Sequence, residues 1–247
     1  MGLVVQEMKI NLSISIFKLR VKTMAKAGEK SLRDLVFFPV IFNVVGLFAI
    51  GLLFAVSPEY SADSGIQNTV VLACVFVVEW LLAFIAIRRL RRQGVSIKEF
   101  IVPRRKLNLL SAILVFVLLN VLFAAYMIVA LTYGRIPPMS GLSLLQVVFF
   151  VLLIPITAGF VEELIWRGYF IDKLLSMRRS EIRAIVYSSI SFAFIHGFFL
   201  IDKLAVTFLF GIIAGVYYVR ERNLLVLMAA HVAVDVIAYA LTIFAAI

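Results

Sequence analysis

Six ionisable residues stand inside otherwise apolar stretches of this 247-residue chain: Glu79, Glu162, Glu163, His196, His231 and Asp235. Both histidines of the protein are among them. Charge within hydrocarbon is costly and by default marks function. A buried carboxylate can take a proton from water, and an imidazole can position or polarise the same water. Two histidines and a carboxylate could also hold Zn²⁺, leaving a fourth position for water. Either arrangement is hydrolytic chemistry.

The elements that must position these groups are membrane helices. Apolar residues make up 64% of the chain, against roughly 45–50% in an ordinary soluble domain, and charged residues 15% against about 25%. Leu35–Pro58 (24 residues), Leu107–Gly134 (28) and Ile136–Val161 (26) carry no charge at all. About 20 helical residues cross a ~30 Å hydrocarbon core, so each run is long enough. This composition excludes a soluble enzyme, a nucleic-acid module and a secreted disulfide scaffold. The single Cys74 lies in an apolar run and reads as a buried structural residue. The expected fold is all-α, a polytopic bundle of about seven transmembrane helices at 35–56, 69–88, 109–133, 142–166, 184–201, 204–219 and 224–246. Asn43 and Asn120 read as interhelical hydrogen-bond formers, and Gly211 and Gly215 as a small-residue packing pair.

The formal charge of +10 sits between these runs, not on a nucleic-acid-binding face. Segments 1–34, 88–106, 173–183 and 220–222 are rich in Lys and Arg. The intervening ones hold none, Arg135 alone and Lys203 alone. Basic loops stay cytoplasmic, which predicts a cytoplasmic N-terminus and an external C-terminus in the cell membrane. Three regions follow: a basic N-terminal segment 1–34, three accessory helices in 35–141 and a catalytic core in 142–247. Met24 is a second candidate start.

Depth and helical spacing refine the site. Measured from the nearest cytoplasmic basic residue at ~1.5 Å per residue, Glu162 lies ~16 Å deep, His231 ~13 Å, and His196 and Asp235 ~20 Å. They form one layer toward the cytoplasmic half. Glu163 and Arg167 are four apart with the acid first, the favourable order for an ion pair. Adjacent α-helical residues point ~100° apart, so Glu162 is expected to face His196 while Glu163 serves the helix. His231 and Asp235 share a face by the same spacing. Glu79 either lines the cavity or pairs with a neighbouring helix.

Glu162-Glu163-Leu-Ile-Trp-Arg167, Phe192-Ala-Phe-Ile-His196 and His231-Val-Ala-Val-Asp235 resemble the EExxxR, FxxxH and HxxxN/D motifs of the CPBP (ABI, or CAAX-protease) family of intramembrane proteases. The resemblance covers about residues 142–240. It implies endoproteolysis of a membrane-associated peptide or protein, prenylated or otherwise small. Glu162 and His196 would activate water, and His231 with Asp235 would stabilise the oxyanion. Glu163 would belong to the catalytic set, with Arg167 in support. The two histidines come from different helices and differ in depth by ~7 Å, so hydrolysis without a metal or other cofactor is expected. Asp235 stands where prenyl-protein proteases carry Asn, and an ionised carboxylate cannot donate to an oxyanion. It either orients His231 or is protonated. The alternatives are a zinc protease using Glu162, His196 and His231, or a non-catalytic bacteriocin-immunity or membrane partner protein. A proton-coupled transporter would need two similar halves, and none is visible.

Overall fold

A computed structural model of the chain describes residues 33–245 apart from 53–54, 57–63, 93, 96–97, 99–100, 102–105, 137–138, 140 and 197–199. The basic segment before residue 33 and the alternative start at Met24 lie outside the described residues. The described architecture is all-helical: α1 (Arg33–Leu52), α2 (Ser64–Arg92), α3 (Leu109–Thr132), α4 (Leu144–Ser176), α5 (Glu181–Ile195), α6 (Ile201–Glu221) and α7 (Leu224–Phe244). Six of these are long and apolar enough to cross a membrane. Many lipid-sized side chains face outward on them, among them Phe48, Leu110 and Leu145. With no water there to bond exposed amides, closed helical hydrogen bonding is what such segments can adopt.

Two helices depart from the expected spans. Helix α5 has 15 residues, a length of ~22 Å, less than the ~30 Å core. It starts at the Ser180 N-cap and stops with His196 as its C-cap. Helix α4 runs 33 residues, ten beyond the expected end at 166. Its ~50 Å length exceeds the bilayer core, so its last turns extend past the others. Within it, Phe149–Leu153 and Glu163–Ile171 are π-helical. The first π-turn runs up to Pro155, whose missing N–H interrupts the ordinary ladder. The second contains the ion-pair motif, and π-turns often mark functional sites.

Helix α4 is the centre of the packing, touching α2, α5, α6 and α7. Trp166 donates from Nε1 to Ser191 Oγ (3.1 Å), which donates to the Leu35 carbonyl (2.7 Å), joining α4, α5 and α1. Asn43 donates to the Phe194 carbonyl (2.7 Å) and Asn120 to that of Ala230 (3.4 Å), the interhelical roles expected of them. Cys74 is half-buried, not buried, because it shares a helical face with the outward-facing Val77 and Leu81. The glycine pair on α6 lies against α5: a Cβ on Gly211 would come 2.8 Å from Ser189 Cβ, and one on Gly215 2.9 Å from Ile185 Cγ2.

A third close approach matters more for the site. A Cβ on Gly159 would meet Val232 Cγ2 at 2.6 Å and the Val232 amide nitrogen at 2.9 Å, where α4 crosses α7. Those helices carry Glu162 and His231. Gly159→Ala is therefore expected to cost about 1–3 kcal/mol of stability and to lower activity in the folded fraction. Gly51→Ala, with nothing within 4 Å, serves as the neutral control. Thermal melts and cleavage assays on the two purified variants check this.

Candidate active site

Arg167 donates from Nη1 to Glu163 Oε1 at 2.9 Å, with both side chains buried. The same Glu163 oxygen lies 2.9 Å from His231 Nδ1. A carboxylate already accepting from a guanidinium can only accept again, so His231 Nδ1 carries the proton and donates. Its Nε2 then points the other way. It stands 3.8 Å from Glu162 Oε2 and 3.8 Å from Asp235 Oδ2. The result is a buried relay, Arg167–Glu163–His231, that presents one imidazole nitrogen between two carboxylates.

The spacing argument assigned only Glu162 to the site. The structure brings both glutamates to His231. The His231 ring meets each with a different nitrogen, Glu163 at Nδ1 and Glu162 from Nε2, so the two side chains need not point the same way. The expected Glu163–Arg167 ion pair is present, and it additionally anchors His231.

Phe192 explains the aromatic position of the second motif. Its ring lies 4.2 Å beneath the Arg167 guanidinium carbon and 4.9 Å from the His196 ring, packed edge to face. Phe210 of α6 covers the other flank, 5.6 Å from Arg167 and 4.9 Å from His231. The charged relay is thus enclosed by aromatic faces, where cation–π attraction compensates lost hydration. His196 sits at the end of α5, with Nδ1 3.1 Å from the Phe192 carbonyl. A carbonyl can only accept, so Nδ1–H donates and Nε2 is left as the free nitrogen.

Glu162, His196, His231 and Asp235 line one cavity of about 570 Å³. Glu79 of α2 lines it as well. Lys203, in the first turn of α6, lines it too. In the sequence that lysine looks like an isolated loop charge; the early stop of α5 draws it inward. It makes no ion pair within 4.0 Å among the described residues. Glu162 Oε2, Glu163 Oε2 and Arg167 Nη2 are buried without a hydrogen-bond partner there. Among the described residues no three His, Cys, Asp or Glu side chains converge to hold a metal ion, the Glu162, His196, His231 set included.

Residues 143–237 match the family model described as type II CAAX prenyl endopeptidase, Rce1-like. The matched stretch contains all three motifs and every residue of the relay. This stretch is of the CPBP, or CAAX-protease, family. The CPBP family comprises intramembrane CAAX prenyl endopeptidases, which are hydrolases, and six spanning-length helices make this a multi-pass membrane protein. No curated protein and no solved structure matches the chain. The CPBP segment starts with α4 and ends within α7, so α1–α3 lie outside the matched stretch while α1, α2 and α3 still supply cavity walls through Phe42, Glu79 and Tyr126.

Proposed function

We propose that the protein is an intramembrane endopeptidase of the cell membrane, hydrolysing peptide bonds of membrane-associated peptide or protein substrates. The observation that carries this reading is the buried Arg167–Glu163–His231 relay, which holds a free imidazole nitrogen beside Glu162 at a cavity wall. A protein that only bound partners would have no use for so costly an arrangement.

In this mechanism a water enters between Glu162 and His196. Glu162 takes its proton as the water oxygen attacks the scissile carbonyl carbon. His196, with Nδ1–H on the Phe192 carbonyl, accepts the water's second hydrogen at Nε2 and aims the attack. His231, with a second proton taken up from solvent on Nε2 before the substrate binds and kept throughout, stabilises the tetrahedral oxygen from Nε2–H, and Glu163 on Nδ1–H holds that ring's orientation and balances its charge. Asp235, 3.8 Å away, orients the same nitrogen from the far side and needs no donor of its own for that role. Collapse breaks the C–N bond, and the proton on Glu162 passes to the leaving amine. Water is thereby split between the new carboxyl and the new amine.

The test is cleavage of a fluorogenic membrane-anchored peptide by the protein in lipid discs, with Glu162→Gln as the control. Equal cleavage by both would refute the reading and favour a binding role. Metal enters this mechanism nowhere, and each histidine's Nδ1 is engaged by a carboxylate or a carbonyl. Activity is accordingly expected to survive treatment with a strong chelator, verified by elemental analysis. Loss on stripping and recovery on stoichiometric Zn²⁺ would select the zinc alternative.

A further inference from the structure

The two ends of the bundle differ in charge. Apart from Arg135, Arg167 and Lys203, every described Lys and Arg lies at the end formed by the start of α1, the end of α2, the α4–α5 turn and the α6–α7 turn. That end is tied together by ion pairs, Arg89 with Asp34 and Arg222 with Asp172. By the basic-loop rule it is the cytoplasmic end. The opposite end has one described ion pair, Arg135 with Asp202, and a backbone bond from Met139 N–H to the Thr242 carbonyl (3.0 Å).

The cavity is not placed symmetrically between these ends. From Glu162 and His231 its walls run away from the basic end, along α2 to Asn68, along α7 to Thr242 and across to Met139. In the other direction the bundle is solid: Trp166, Phe170, Leu174, Leu224 and Leu227 have no exposed surface at all. A chain segment coming from the cytoplasmic end would meet this aromatic and aliphatic plug before it met Glu162.

We infer that the cavity is loaded from the non-cytoplasmic side, so that its substrate is a polypeptide segment lying in or beyond the outer leaflet. That the occupant is a polypeptide rests on the proteolytic reading above; the side of entry does not. The outward course of the walls also gives Lys203 a place on the incoming route, opposite the deeper carboxylates.

The experiment uses the full chain with Cys74→Ala as background and single cysteines at Met139, Ala238 and, as cytoplasmic reference, Arg179. A charged, membrane-impermeant thiol reagent is added to right-side-out and to inside-out vesicles. Met139→Cys and Ala238→Cys are expected to label in right-side-out vesicles and Arg179→Cys in inside-out vesicles. Labelling of the two cavity cysteines from the Arg179→Cys side, or from neither side, would overturn the inference. The readout is chemical and needs no turnover. Outward labelling of a protein that cleaves nothing would uphold the side of entry while removing the protease reading. A second arm presents the lipid-anchored peptide to one vesicle face at a time, with cleavage expected only from the face that labels Met139→Cys.

Discussion

Glu162→Gln is expected to leave the protein folded and at parental abundance while lowering peptide cleavage by at least ~10²-fold. The carboxamide has nearly the same shape, so the packing beside Val161 and Ala158 is undisturbed. Glu162 makes no ion pair with Arg167, and its Oε2 has no hydrogen-bond partner among the described residues. Little native stabilisation is therefore lost with its charge. What disappears is the only acceptor placed both on the cavity wall and 3.8 Å from His231 Nε2, apart from Asp235. Initial rates on a fluorogenic peptide, with melting temperature and protein level measured on the same samples, decide the matter. A variant that cleaves at the parental rate would move the general base to Asp235 or Glu79, the other carboxylates on that wall.

Removing the relay has a different signature. Arg167→Met leaves Glu163 as an uncompensated charge in a fully enclosed position, and breaking a buried pair in this way costs about 3–5 kcal/mol. The expected result is a sharp loss of folded protein, read as yield and melting temperature. Glu163→Gln is milder for the fold, since its amide oxygen still accepts from Arg167. Its amide N–H₂ can, however, donate to His231 Nδ1, which moves the ring proton to Nε2. The Nε2–H tautomer can still donate to the oxyanion, but the carboxylate that balances a doubly protonated ring is gone, so the folded fraction of Glu163→Gln should lose ~10²–10³-fold in activity. A shifted pH–rate profile should accompany that loss, because the charge beside His231 Nδ1 has been removed. A purely structural Glu163 would instead give reduced abundance with normal specific activity and an unmoved profile.

Much of this protein is legible in the residues themselves. Ionisable groups are too expensive in hydrocarbon to occur at random, so Glu162, His196, His231 and Asp235 stand out from an apolar background. Charge alternation between loops orders the helices, and the Glu163–Arg167 and His231–Asp235 spacings predict pairs that the structure contains. The glycines on α6 announce a close packing that α5 supplies. Facing directions are another matter. Nearly every position in these helices is apolar, so periodicity carries no information about which side meets another helix and which meets lipid. The assignment of Glu163 away from the site assumed a target on one side of the helix, whereas the His231 ring meets Glu163 with Nδ1 and approaches Glu162 with Nε2. The placement of Phe192 under Arg167 and of Glu79 and Lys203 on the cavity wall likewise depends on helices distant in sequence. Residue type and spacing thus determine that this chain spans the membrane and carries hydrolytic groups. Only helix packing decides which carboxylate orients the imidazole, which one faces the cavity, and toward which end of the bundle that cavity runs.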